Sequence, residues 1–350
     1  MRKINYSLLL LSLLLILFNS CSTKVDLYAD YKDITVVYGL LDSNKDTNYV
    51  KINKAFMGPW DPSIAIPEDS CDYPNKLDVK LIEFRSNAMA NNFQKQREII
   101  MDTTTIHNKE TGIFYAPDQL VYFTTEKVKN NSDQFDYRYQ LEIDRGDTIL
   151  TAITDMVGGP AFAMYQAALP FATTVSESGQ VTWTPCPNAS IYEVVINFDF
   201  REVTFGGDTI PRSMTWSLGS YPTSSLQMQG DKFVLSYKTI NFYVTLESYL
   251  NKIGTFDSNT GNNSPEIKER LIFEPSLNVK IAAGGYELYN FISVNGPSSS
   301  IVQNIPEYTN VNGGYGIFSS RTLLTKRMKL GGNTLMELSN DHPWLFRQAR

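Results

Sequence analysis

The sequence predicts a mainly β protein, arranged as two β-sandwich-like domains with a few short helices in the C-terminal half. Three observations carry that reading. Aromatic residues make up 12% of the 350, and Tyr (20) and Phe (19) far outnumber Trp (4), a usage that suits pleated, half-buried surfaces. Apolar and polar residues alternate with period two through several runs, as they do in antiparallel strands with one wet face. Short clusters of Asp, Asn, Ser and Gly separate those runs at the spacing typical of sandwiches. With 42% hydrophobic and 19% charged residues, the chain has enough apolar content for a core, which excludes wholesale disorder. The length divides naturally into two domains.

The elements follow in order. Residues 1–20 have the three-part form of a secretory signal: Arg2 and Lys3, then an apolar run from Leu8 to Phe18, too short for the roughly 20 residues that span a bilayer. The run ends at Phe18-Asn19-Ser20-Cys21, which resembles a bacterial lipobox. That resemblance implies cleavage before Cys21 and acylation of its thiol and new amino group. Several acyl chains on one residue make a durable anchor, with residues 21–31 as its tether.

Residues 32–157 read as the N-terminal β-sandwich. Ile34 to Leu41, a polar turn from Asp42 to Asn48, and Tyr49 to Asn53 form a strand–turn–strand hairpin. Leu77, Val79 and Leu81 alternate with Asp78 and Lys80, and Tyr137, Tyr139, Leu141 and Ile143 alternate with Arg138, Gln140 and Glu142. Arg145-Gly146-Asp147 is best explained as a hairpin tip leading into Thr148 to Ile153. Gly158-Gly159-Pro160 breaks the series, and residues 158–172 read as a linker or short helix.

Residues 173–350 open the second β domain. The run Val181-Thr182-Trp183-Thr184-Pro185-Cys186-Pro187-Asn188-Ala189, followed by Ile191-Tyr192-Glu193-Val194-Val195-Ile196, resembles the second and third strands of a fibronectin type III module. The resemblance implies a Trp183 at the sandwich centre, packed against the Tyr192, Val194 and Ile196 face. Met214 to Leu218 and Phe233 to Leu235 supply further strands. Thr245 to Leu250 and Tyr286 to Ile292 carry apolar residues at helical spacing. Asp257 to Pro265 is an exposed loop.

Taken together, these features resemble a family of Bacteroidota envelope lipoproteins, the domain-of-unknown-function family 4249. The resemblance rests on the lipobox, on Asp33 to Leu41, on the Trp183/Tyr192 segment, and on Pro306 to Phe318 with its Asn-x-x-x-Gly-x-Gly-x-Phe pattern. It implies a cell-envelope lipoprotein of the outer membrane, often associated with transporters that use TonB. It implies no activity.

Catalytic constellations are scarce. His107 and His342 are the only imidazoles, no His-Glu-x-x-His helix or Gly-x-Ser-x-Gly elbow occurs, and both His read as solvated. No metal site and no cofactor is expected. Asp42, Asn44 and Asp46 open like a calcium loop, but Thr47 replaces the turn glycine and Asn53 the bidentate Glu; a hairpin tip uses the same residues for backbone bonding. Gly313-Gly314-Tyr315-Gly316 leads into a strand rather than a helix, so it reads as a tight turn rather than a phosphate cradle. Among 37 acidic residues no pair identifies itself as glycosidase carboxylates. Cys71 and Cys186 permit a bridge in an oxidising compartment; two free buried thiols is the simpler reading.

The acidic balance, net charge -6, argues against a nucleic-acid partner. The expectation is therefore a non-enzymatic envelope protein that binds as an accessory to a transporter or surface assembly. The rivals are a surface glycan-binding lipoprotein and a carboxylate-dependent hydrolase. Exposed aromatics are sugar platforms or domain-edge covers, and the preferred contact is Trp60, in the proline-bounded run Phe56 to Pro62.

Overall fold

The computed structural model describes residues 34–55, 71–88, 90–107, 118–295 and 307–349. The fold is mainly β, with three α-helices among the described residues. The N-terminal half holds β1 (Thr35–Leu41), β2 (Asn48–Lys54), β3 (Asp78–Asn87), β4 (Gln94–Ile100), β5 (Asp102–Ile106), β6 (Gln119–Thr124), β7 (Phe135–Asp144) and β8 (Ile149–Asp155). The expected hairpin is present: β1 and β2 pair antiparallel with Tyr38 opposite Lys51. The tip at Arg145-Gly146-Asp147 also forms, closed by Arg145 N–H donating to Thr148 O at 3.1 Å.

Period two then dictates the packing. Val37, Leu41, Val50 and Ile52 point inward from β1 and β2, and meet Val79, Leu81, Tyr139, Leu141 and Ile143 from β3 and β7 in one buried cluster. Their neighbours along each strand point outward. Burying such side chains is the main stabilisation available to two stacked sheets.

The C-terminal half continues with β9 (Ala168–Pro170), β10 (Ser178–Trp183), β11 (Ile191–Thr204), β12 (Thr209–Pro222), β13 (Gln227–Gln229), β14 (Lys232–Lys238) and α1 (Ile240–Lys252). There follow β15 (Phe256–Asp257), β16 (Asn262–Asn263), β17 (Ile267–Ile272), β18 (Leu277–Gly284), α2 (Tyr286–Asn295), β19 (Val311–Asn312), β20 (Tyr315–Gly331), α3 (Thr334–Asn340) and β21 (Phe346–Gln348). Strand β11 is the spine, flanked by β12 on one side and by β18 and then β17 on the other. A small sheet of β10, β14 and β13 faces it. Trp183 is fully buried between them, its ring 5.5 Å from that of Tyr192. Helix α1 closes the core with Phe242, Tyr243, Leu246 and Leu250, and Phe242 stacks on Phe171 at 4.3 Å. Residues 158–172 hold no helix; they carry Phe162, Met164, Leu169 and Phe171 into this core.

Strand β20, 17 residues long, serves both halves. Its first part runs parallel to β1, and its second pairs antiparallel with β18. Phe318 accordingly belongs to the N-terminal cluster and Met328 and Leu330 to the C-terminal one. Strand β19 completes the five-stranded sheet beside β8. Gly316 makes the parallel contact possible: its φ is +106°, and a Cβ there would sit 2.0 Å from the Val37 carbonyl oxygen, so no other residue fits. The two foreseen helices lie within α1 and α2. Helix α3, unforeseen, follows Gly331-Gly332 and buries Leu338. Among the described residues no helix is long and apolar enough to cross a membrane.

Candidate binding site

A cleft of about 740 Å³ opens on the outer face of the β20–β1–β2 sheet, beside α2. Its origin is readable strand by strand. Val37, Gly39 and Leu41 point into the core, so Tyr38 and Leu40 point out; Tyr49 joins them from β2 and Ile317 from β20. Tyr38 is 49% exposed and Tyr49 45%. The second wall is α2, which presents Leu288, Phe291 and Ile292, positions i, i+3 and i+4 on one helical face. The Tyr38 and Phe291 rings meet edge to face at 6.3 Å.

Helix α2 buries no side chain fully. It is held at its start: Gly285 N–H donates to Ser320 O at 3.0 Å, Leu288 N–H to Ser319 Oγ at 3.3 Å, and the Thr154 and Ser319 hydroxyls to Glu287 Oε2 at 3.2 and 3.3 Å. Burial pushes the Glu287 carboxyl above its ordinary range, which these hydroxyls oppose and the nearby Asp155 reinforces.

One end of the cleft is polar, formed by the β1–β2 turn and Arg321. Asn44 N–H donates to Asp42 Oδ1 at 3.0 Å, and Asp42 N–H donates to Asn48 Oδ1 at 2.7 Å. The turn is thus a backbone-bonding Asx turn, as its composition predicts. That second bond fixes the Asn48 amide, because only the oxygen can accept. Asn48 Nδ2, buried, has no acceptor among the described residues. Arg321, 51% exposed, places Nε 4.0 Å from Asp42 Oδ2, and Lys45, exposed in the same turn as Asp42, also lines the cleft. The cleft therefore offers apolar sides and a cationic end.

The residues singled out from sequence fall elsewhere. Cys21 and Trp60 lie outside the described residues. Trp183, Trp216 and Trp344 are all buried, so none is a platform. His107 is exposed, its Nδ1 2.7 Å from Asp118 Oδ1. His342 departs from the expectation of a solvated ring: it stacks on Trp344 at 4.2 Å and on Tyr243 at 4.6 Å, and burial lowers its pKa. Cys71 and Cys186 are not bridged to each other; Cys186 is buried as expected, but Cys71 is only half-buried, and burial pushes the Cys186 thiol up to about 12. Among the described residues no cluster of His, Cys, Asp and Glu could hold a metal ion. The expected loop at 257–265 overlaps the short β15–β16 ribbon, which starts at Phe256, with Asn259 N–H and the Thr260 hydroxyl both donating to Asp257. Sequence reasoning missed Tyr38, Tyr49, Phe291 and Arg321. The available signal was a tyrosine on the wet face of each strand of the first hairpin.

No family model matches the chain, and no curated protein matches it. Fold and cleft together define a mainly β, multi-sheet protein with an aromatic-walled surface cleft at a strand–helix junction.

Proposed function

We propose that the chain is a lipid-anchored protein of the cell envelope, at the outer membrane, whose work is binding rather than catalysis. Cys21 carries the acyl chains, and the cleft between β1, β2 and α2 is the recognition surface, engaging a TonB-dependent transporter or another surface component. The observation that carries the binding reading is the cleft, where half-exposed Tyr38 and Tyr49 stand beside Phe291 with no fully buried residue in the helix opposite. Half-exposed rings on a packed scaffold give contact area at little entropic cost. The lipobox-like run and the likeness to Bacteroidota envelope lipoproteins support the anchor.

Both parts are testable. Metabolic labelling with a fatty-acid analogue marks the wild type and not Cys21→Ala; equal labelling of both overturns the anchor. Tyr38→Ala lowers recovery of crosslinked neighbours while leaving the melting curve in place. Unchanged recovery overturns the cleft as recognition surface. The second reading, a surface glycan binder, is favoured by Tyr38 and Tyr49 sharing one sheet face; a panel of neutral oligosaccharides decides it. Trp60 keeps its place as a further proposed contact, tested by the same pull-down on Trp60→Ala.

A further inference from the structure

The geometry points to a small amphiphilic carboxylate, an apolar chain bearing one acid group, as the ligand of this cleft; the inference rests on the reading of the cleft as a recognition surface. The lining divides cleanly. Leu40, Leu288, Ile292 and Ile317 join Tyr38 and Phe291 along the sides. Two cations line the cleft, Lys45 in the β1–β2 turn and Arg321 next to Asp42 of that turn, in a chain whose net charge is -6. The opposing acid there is Asp42, buried and already accepting Asn44 N–H, and its ion pair with the half-exposed Arg321 spans 4.0 Å. Asp46 of the same turn does not line the cleft.

Chemistry follows from that layout. A long ion pair with an exposed partner is weak, so the Arg321 guanidinium keeps donors for a second carboxylate, and its planar fork matches carboxylate oxygens. Asn48, buried at the same end, holds the turn in place by accepting the Asp42 N–H. An apolar body gains by leaving water along the aliphatic and aromatic sides. The volume, about 740 Å³, lies in the range of small-molecule sites, which runs from roughly 300 to 1,000 Å³. A neutral sugar satisfies the rings and leaves the cations idle; an acidic sugar satisfies the cations and sets its hydroxyls against leucine and isoleucine.

The test is calorimetric titration of the full chain with submicellar decanoate, decanol, trigalacturonate and maltotetraose. Decanoate is expected to bind about tenfold or more tightly than decanol, the scale of one charge-assisted contact. Tyr38→Ala weakens both amphiphiles. Lys45→Gln with Arg321→Gln, two exposed positions whose loss leaves the fold standing, brings decanoate down to the level of decanol. Added salt narrows the same gap. Equal binding of decanoate and decanol to the wild type overturns the proposal, as does a gap that survives in the double variant or tighter binding of trigalacturonate. If neither amphiphile binds but maltotetraose does, or Tyr38→Ala still loses its crosslinked neighbours, this proposal fails and the recognition surface stands. If no ligand binds and Tyr38→Ala keeps its neighbours, both fail.

Discussion

At the scale of single residues, stability is concentrated in a few buried groups. Trp183 touches Tyr192 and Phe233 and has no exposed surface. Trp183→Ala should cost about 3–5 kcal/mol in denaturant unfolding, as large aromatic truncations in cores do; an unchanged midpoint would contradict its central position. Arg270 is the most demanding of the buried charges. Its guanidinium donates to Glu202 at 3.0 Å, to Asn263 at 2.7 Å, to the Trp344 carbonyl at 2.6 Å and to the Thr255 carbonyl at 2.9 Å, tying the tail to β17 and to the turn after α1. Arg270→Met leaves Glu202 with Arg212 as its remaining partner and strips the two carbonyls and Asn263 of this donor, and should cost about 3–5 kcal/mol. Glu83 reports on pH. Burial opposes its charge, but Arg97, Lys129 and Tyr139, at 2.9, 3.1 and 2.9 Å, outweigh burial and hold its carboxyl below the ordinary range. A carboxyl depressed in the folded state stabilises above its unfolded pKa, about 4.3, and that contribution is lost as pH falls through the lower folded value. Glu83→Gln should therefore flatten the acid limb of a stability–pH curve below about pH 4.3 while lowering stability at neutral pH.

At the scale of elements, α2 is the contrast to everything around it. Strand β11 is paired along both edges and contributes Tyr192, Val194, Ile196, Phe198 and Phe200 to the core; α2 rests on its first turn and half-buried side chains. Local opening free energy follows buried apolar contact. Amide hydrogen exchange in α2 should consequently run well ahead of β11 and β18, and slow exchange across α2 would show that the cleft wall is rigid. The sequence made most such elements legible, because period two in β3 and β7 and the apolar spacing of α1 and α2 are local signals. The cleft was not legible for the opposite reason. Tyr38 and Tyr49, Phe291, and Arg321 come from three distant stretches, each ordinary in its own strand or helix, and only the pairing of β1 with β20 brings them together. A search for loop aromatics favoured Trp60, whereas these rings stand on strands and a helix.

At the scale of the whole molecule, β20 couples the two cores. Its Phe318 cannot leave the N-terminal cluster without disturbing the register that places Met328 in the other. Thermal unfolding followed by far-UV circular dichroism and by tryptophan fluorescence should thus give coincident midpoints, the mark of one cooperative unit. Trp183, Trp216 and Trp344 all lie in the C-terminal core, so with the fourth tryptophan removed as Trp60→Phe, two separated transitions would show the halves melting independently.

The same parallel pairing sets a timetable. Strand β1 is made long before β20, the parallel strand that completes its edge. Until then β1 presents an open row of backbone donors and acceptors, the template on which strands from other chains add. Contacts so distant along the polypeptide form slowly, and a nascent chain paused before residue 315 has no native partner to offer that edge. During synthesis that edge of β1 is therefore exposed to aggregation until β20 arrives to close it.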